Sequence, residues 1–338
     1  MPRIELETSS GRGSFYYNIA TPTETSASAI MQAIPTIVLI HPVYTASVIF
    51  HLYYANPELR RFNLVSMDLR GHGWTSATVD DSYGSEIVAD DVLKLMNTLK
   101  IDTCHVAGIA TGGSIALQMA VAAPERILSI FMMSPGPQVE PIEGMQGRRE
   151  IARYWIQARQ PDASEADKKA ADDAIYGTLQ LAYSNIDIPL VRAIRDYSVQ
   201  KAEENWTGVN LHWIEVLTLK FLDNQPVYTV ETLERIRCPV LLVHCTADVV
   251  YPKIYAEELL DLFHSANVDA SLEIIEGAPH WGSVTHPDET NEMLYNFVIA
   301  HCDASNMTPP PNGAESPFLN DLAPYGLLDT DSDLEHSE

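Results

Sequence analysis

The sequence has few basic residues and no long apolar run. Its 338 residues include 21 Lys and Arg against 46 Asp and Glu, a formal charge of −25. This excess repels phosphate backbones and anionic headgroups, so neither nucleic acid nor a membrane surface is an expected partner. No apolar run approaches the roughly 20 residues that span a bilayer, and the first residues lack the apolar stretch of a signal peptide. We therefore expect a soluble, cytoplasmic protein.

Patterns that hold metals, cofactors or disulfides are also missing. The chain contains no G-x-G-x-x-G turn, and no P-loop lysine follows its glycine-rich turn. Its histidines do not form ligand-spaced clusters, so we expect no metal and no organic cofactor. The cysteines form no CxxC pair and are predicted to be reduced core thiols. They are Cys104, Cys238, Cys245 and Cys302.

Apolar runs alternate with segments of helical spacing over much of the chain. The runs are apolar along their whole length, which is typical of strands buried on both faces. Helices between such strands supply the crossovers of a parallel sheet. The pattern predicts an α/β fold, a mostly parallel eight-stranded sheet with helices on both faces.

Two segments depart from this alternation. Residues 136–236 have helical spacing throughout and are rich in Trp and Tyr, which predicts a helical cap inserted into a core of residues 1–135 and 237–302. Residues 303–338 contain eight acids, five prolines and no Lys or Arg. We predict that this acidic, proline-rich tail is disordered, since its composition cannot offset the entropy of ordering.

The strongest chemical signal is Gly108-Ile-Ala110-Thr-Gly112, where an apolar strand turns directly into a helix. The two glycines match the G-x-S-x-G elbow, whose strained turn lifts the central side chain clear of the sheet. Ala110 occupies that central position. A rival register with Thr111 as the nucleophile would put Ile109 where the first glycine belongs.

An acid and a histidine follow later strands. Asp248 ends one apolar strand, and His280 lies on the loop after the last strand. The carboxylate could accept the ring N–H and fix the tautomer, leaving the histidine as a general base. Elbow, acid and histidine occur in the order of the α/β-hydrolases.

The sequence resembles the α/β-hydrolase superfamily over residues 14–302, specifically the cap-bearing branch of esterases, lactonases and epoxide hydrolases. Its early motifs also resemble those of fungal members. The resemblance depends on His41-Pro42, on the run Asp68-Leu-Arg-Gly-His-Gly73, on the elbow, and on the pair Asp248 and His280. It implies that His41 lies beside the substrate. In place of the family's His-Gly, this chain has Pro42, so Val43 would inherit the role of oxyanion donor together with Thr111.

Ala110 has no atom that can form an acyl-enzyme or alkyl-enzyme. One explanation is a serine that has been replaced by alanine, which the retained Asp248 and His280 favour. The other is a natural protein that has abandoned covalent catalysis.

Three functions follow from these residues. The first is a serine-type hydrolase scaffold for an apolar carboxylic ester or lactone, inactive or strongly impaired by Ala110. The others are a ligand-binding protein without hydrolysis, and an enzyme that uses only the His280 base, such as a lyase, isomerase or oxygenase. Aromatic residues of the predicted cap and of the histidine loop are candidates for contacting substrate. They are Trp155, Tyr183 and Trp281.

Overall fold

The computed structural model describes residues 2–327. It contains eight strands in a single sheet of order β1-β2-β4-β3-β5-β6-β7-β8. β1 pairs antiparallel with β2, and β2 antiparallel with β4, whereas all the other pairs are parallel. The predicted fold class, a mostly parallel eight-stranded sheet with helices, is confirmed. The strands are β1 (Arg3–Thr8), β2 (Gly11–Ala20), β3 (Thr36–Ile40), β4 (Asn63–Met67), β5 (Cys104–Ile109), β6 (Ile127–Met133), β7 (Val240–Cys245) and β8 (Ala270–Ile275).

The central strands are buried along their whole length, as expected for a sheet covered by helices. Helix α3 begins directly after β5 and packs against β5 and β6. The helices outside the long β6–β7 connection are α1 (His51–Tyr54), α2 (Ser85–Leu99), α3 (Thr111–Ala122), α11 (Ile254–Ser265), α12 (Gly282–Thr285), α13 (Pro287–Ala300) and α14 (Leu319–Leu322).

The connection between β6 and β7 is helical and contains no strand. Its three long helices pack on one another, α4 against α6 and α6 against α7. A π-helical turn, Val216–Lys220, lies between α8 and α9. The helices of this connection are α4 (Ile142–Ala158), α5 (Glu165–Lys168), α6 (Ala170–Tyr183), α7 (Pro189–Asn205), α8 (Trp213–Glu215), α9 (Phe221–Asp223) and α10 (Val230–Leu233).

The prediction of a disordered tail is wrong for residues 303–327, which pack on the domain. Phe318 and Leu322 have no exposed surface, and the Phe318 ring packs edge-on against Tyr54, with 5.3 Å between centroids. The Arg60 guanidinium donates to the carbonyl of Glu315 at 2.9 Å. The composition averaged over the tail did not reveal Phe318 and Leu322, an apolar pair spaced i and i+4 whose side chains are fully buried. The rest of the predicted tail, residues 328–338, lies outside the described residues.

Candidate functional site

The predicted site residues lie on loops at one edge of the sheet. β5, β6, β7 and β8 are neighbours and run parallel, so their carboxyl ends share an edge. Ala110 directly follows β5, Asp248 follows β7, and His280 follows β8. In open α/β sheets this edge is where ligands bind.

Ala110 occupies a strained turn between β5 and α3. Its backbone angles are φ 50° and ψ −116°, a conformation that residues with a side chain rarely adopt. The glycines on each side are required by close backbone packing. A Cβ on Gly108 would lie 2.2 Å from the carbonyl carbon of Gly112, and one on Gly112 would lie 2.1 Å from the carbonyl oxygen of Ile40. The turn therefore has the geometry of the predicted elbow, with a methyl group at its centre.

Asp248 and His280 form a buried hydrogen-bonded pair. The distance from His280 Nδ1 to Asp248 Oδ2 is 2.6 Å, and both side chains are at most 1% exposed. The other oxygen, Oδ1, accepts the N–H groups of Val250 and Tyr251 at 2.7 and 3.0 Å. Burial acts to raise the pKa of Asp248, but His280 and these N–H groups outweigh burial and hold the pKa below its ordinary value.

An ionised Asp248 accepts the Nδ1 proton and leaves His280 Nε2 as the basic nitrogen. Among the residues that the structure describes, the bond to Asp248 through Nδ1 is the one side-chain hydrogen bond of the His280 ring. The pair therefore has the arrangement of a general base held by a carboxylate.

Tyr251 is a neighbour of the pair that the sequence did not reveal. Its ring lies edge-on to the His280 ring, 5.3 Å between centroids. Its hydroxyl donates to Glu140 Oε2 at 2.5 Å and accepts from Arg148 at 3.1 Å. Arg148 and Glu140 are themselves a buried ion pair. Only the position of Tyr251, three residues after Asp248, could have suggested this contact.

One of the two predicted oxyanion donors is already engaged. The N–H of Val43 donates to Thr111 Oγ1 at 3.1 Å, so Val43 does not present an open donor in this structure. Thr111 is the first residue of α3, and its N–H belongs to the helix N-terminus, where N–H groups have no intrahelical acceptor. Of the predicted pair, Thr111 is the donor that geometry leaves available.

His41 is held by hydrogen bonds within the core. The side chain is fully buried, Nε2 accepts the N–H of Leu69 at 2.9 Å, and Nδ1 lies 2.8 Å from the Pro42 carbonyl. Burial lowers the pKa of His41 to about 3, so the ring is neutral. In this structure His41 links two loops of the core, and its contact with substrate stays a prediction.

Asp68 is also a link within the core. Its two oxygens accept the N–H groups of Ser47 and Trp74, each at 2.9 Å. Burial raises the pKa of this carboxyl to about 6.

A largely apolar cavity lies among α4, α6 and α7, with about 50 Å³ open to the centres of water-sized molecules. Trp155, Tyr183 and Trp281, the three aromatic residues predicted to contact substrate, all line it, as does Tyr44. Tyr44 and Trp281 directly follow Val43 and His280 in the chain. Neither Ala110 nor His280 is part of the lining. The cavity is therefore connected to the Asp248–His280 pair through Trp281, the chain neighbour of His280, and the His280 ring itself does not line it.

Within residues 2–327, no group of three or more His, Cys, Asp or Glu side chains is arranged to hold a metal ion. None of the helices in this range is both long and apolar enough to cross a bilayer. The four cysteines are free thiols.

Comparison with known proteins identifies the family. Residues 35–287, well over half of the chain, match the family model described as "alpha/beta hydrolase fold". The chain belongs to the α/β-hydrolase-fold family. One relative is "Putative carbamate hydrolase RutD" of Agrobacterium fabrum, to which this α/β hydrolase is 32% identical over 239 residues. The match covers 70% of this chain and 83% of that protein.

Solved structures show the same α/β-hydrolase fold at lower sequence identity. A thermophilic esterase from Thermogutta terrifontis superimposes with a TM-score of 0.67 at 15% identity, covering 89% of this chain and all of the esterase. The enol-lactonase from Burkholderia xenovorans LB400 gives 0.59 at 18%, covering 88% of this chain and all of the lactonase.

Proposed function

We propose that this α/β hydrolase carries the site of a serine-type hydrolase for carboxylic esters or lactones with an apolar group, and that Ala110 leaves it able to bind but not to form an acyl-enzyme. The observation that carries the proposal is the buried pair of His280 and Asp248, 2.6 Å apart, on the same sheet edge as an intact elbow. A carboxylate that fixes the tautomer of a histidine and leaves Nε2 as the basic nitrogen is the arrangement of a general base.

The chemistry assigns one role to each residue. A serine at position 110 would attack the ester carbonyl, His280 Nε2 would take its proton and then protonate the leaving alcohol, and Asp248 would stabilise the imidazolium. Water, deprotonated by the same nitrogen, would then cleave the acyl-serine bond and release the acid. The Thr111 N–H would bind the oxyanion, at roughly 3 kcal/mol per donor. With alanine at 110 the first step has no nucleophile. Such a loss costs on the order of 10⁶ in turnover in related chemistry.

The substrate class is supported by the cavity and by the relatives. The walls are chiefly aromatic and aliphatic, which suits an apolar acyl or ring group. Helices of the β6–β7 connection supply most of the lining, so we assign residues 136–236 to a cap that covers bound substrate. The esterase and the enol-lactonase that share the fold are named for ester and lactone chemistry.

A second candidate is ligand binding without hydrolysis. It is favoured by the hydrogen bond from the Val43 N–H to Thr111 Oγ1, which occupies one of the two expected oxyanion donors. In that case a serine at position 110 would gain little, because the hole that stabilises the tetrahedral intermediate would be incomplete.

Ester turnover by the Ala110→Ser variant separates these candidates. We expect hydrolysis of p-nitrophenyl butyrate or octanoate, or of δ-decalactone, to rise at least about 10³-fold over the alanine form. His280→Ala in the serine background should abolish the gain. A serine form that stays inert on all three substrates, while the alanine form binds δ-decalactone, would establish the second candidate instead.

A further inference from the structure

The polar side chains that line the cap cavity differ in whether they have a partner. Five of them do. The Trp155 indole donates to the carbonyl of Trp206 at 3.2 Å, and the Trp206 indole donates to that of Gly71 at 2.6 Å. Thr178 Oγ1 donates to the carbonyl of Ala174, Ser198 is bonded to Thr45, and Arg195 is bonded to Asp196.

Two of the remaining residues, Tyr183 and Trp281, carry donors with no partner among the described residues. They are 2% and 3% exposed, so both side chains are shielded from bulk solvent. The Tyr44 hydroxyl also has no hydrogen bond of regular geometry, although Arg148 and Thr218 are its neighbours. A buried donor left without an acceptor is costly, so few are found in native proteins.

The two donors are neighbours on one wall. The Tyr183 and Trp281 rings meet edge-on with 5.3 Å between centroids, and the backbone N–H of Trp281 donates to the carbonyl of Ala182 at 2.8 Å. This backbone bond attaches the end of α6 to the loop that carries His280. The wall with the unpartnered donors is therefore the wall nearest in the chain to the proposed base.

We infer that the cavity binds a neutral, mainly apolar ligand whose acceptor oxygens are grouped at one end and are held by the Tyr183 hydroxyl and the Trp281 indole N–H. An indole N–H can only donate, so the matching group must be a carbonyl, ester or ether oxygen. The apolar part lies against α4 and α7. This inference rests on the proposed function only for the direction of the ligand, whose oxygen end faces His280.

The test uses the native chain and two probes of the same shape. δ-Decalactone and pentylcyclohexane have the same six-membered ring and pentyl chain, but only the lactone has acceptor oxygens. Binding is followed by the change in total tryptophan fluorescence, to which Trp155 and Trp206 of the cavity wall contribute in every variant. We expect the native chain to bind the lactone more tightly than the hydrocarbon. Tyr183→Phe and Trp281→Phe should each weaken lactone binding by about three- to tenfold. Tyr183→Phe should leave hydrocarbon binding unchanged.

Thr178→Val is the matched control, because the Thr178 hydroxyl lines the same cavity but is already bonded to Ala174. It should leave the ratio of lactone to hydrocarbon affinity unchanged, and Trp281→Phe should lower that ratio whatever its effect on packing. Equal loss of both probes in Tyr183→Phe, or no binding of either probe to the native chain, would overturn the inference. The proposed hydrolase site is tested separately by turnover of the Ala110→Ser form.

Discussion

Replacing Phe318 by alanine should release the C-terminal segment from the domain. The ring is fully buried against Tyr54, and the segment has few other apolar anchors, of which Leu322 is the most buried. A buried Phe→Ala change costs about 3–5 kcal/mol. Because a docked segment can open without global unfolding, this loss should appear first as local opening.

Hydrogen exchange measures that opening directly. The N–H groups of Asp321 and Leu322 donate to the carbonyl of Phe318, and the N–H of Gly326 donates to that of Ala323. A loss of about 3 kcal/mol corresponds to roughly 100-fold faster exchange of these amides, at 1.4 kcal/mol per tenfold change. Asn320→Ala, on the same helical turn but exposed, is the control and should change the rates by less than about threefold.

The same experiment reports on α7 of the β6–β7 connection. The Tyr325 ring lies edge-on to Tyr197, and its hydroxyl bonds to Gln200, both on α7, which lines the cavity. We expect α7 amides to exchange faster as well in Phe318→Ala. Unchanged exchange at residues 321–326 would refute the docking described for this segment.

Two further predictions concern the elbow and the buried histidines. Gly108→Ala should destabilise the fold by about 3 kcal/mol in chemical denaturation, because its Cβ would meet backbone at 2.2 Å, whereas Gly147→Ala, with open space in α4, should be neutral or stabilising. The pKa values of His41, His72 and His105 are lowered by burial to about 3, 4 and 4, so below pH 6.5 the unfolded chain binds protons that the folded chain refuses. The free energy of unfolding should therefore decrease as the pH is lowered from 7 to 5, against a smaller opposite contribution from Asp68. A free energy of unfolding that stays constant or increases on acidification would contradict these assignments.

The sheet and the pair at its edge could be predicted because each has a local signal. Uniformly apolar runs identify buried strands, and two glycines around Ala110 identify the elbow. Asp248 and His280 were found by their positions after strands. The hydrogen bond from Val43 to Thr111 could not be predicted, because it joins loops 68 residues apart and depends on a single rotamer.

Contacts between distant segments were missed for the same reason. The docking of Phe318 depends on Tyr54, Arg60 and Arg61, which are more than 200 residues away and which no average over the tail can reveal. The link from Tyr251 to Arg148 likewise joins the loop after β7 to α4. Sequence patterns describe an element, whereas these contacts depend on which elements become neighbours.

Covalent labelling of position 110 tests the central claim most directly. A fluorophosphonate reacts with a serine whose proton a nearby base removes, whatever the natural substrate. The Ala110→Ser variant should be labelled at residue 110, as located by peptide mass spectrometry, and the native chain should not be labelled. His280→Ala and Asp248→Asn in the serine background should each slow labelling by at least about 10²-fold. A serine form that is not labelled, or labelling that survives the loss of His280, would contradict the assignment of this site as that of a serine hydrolase.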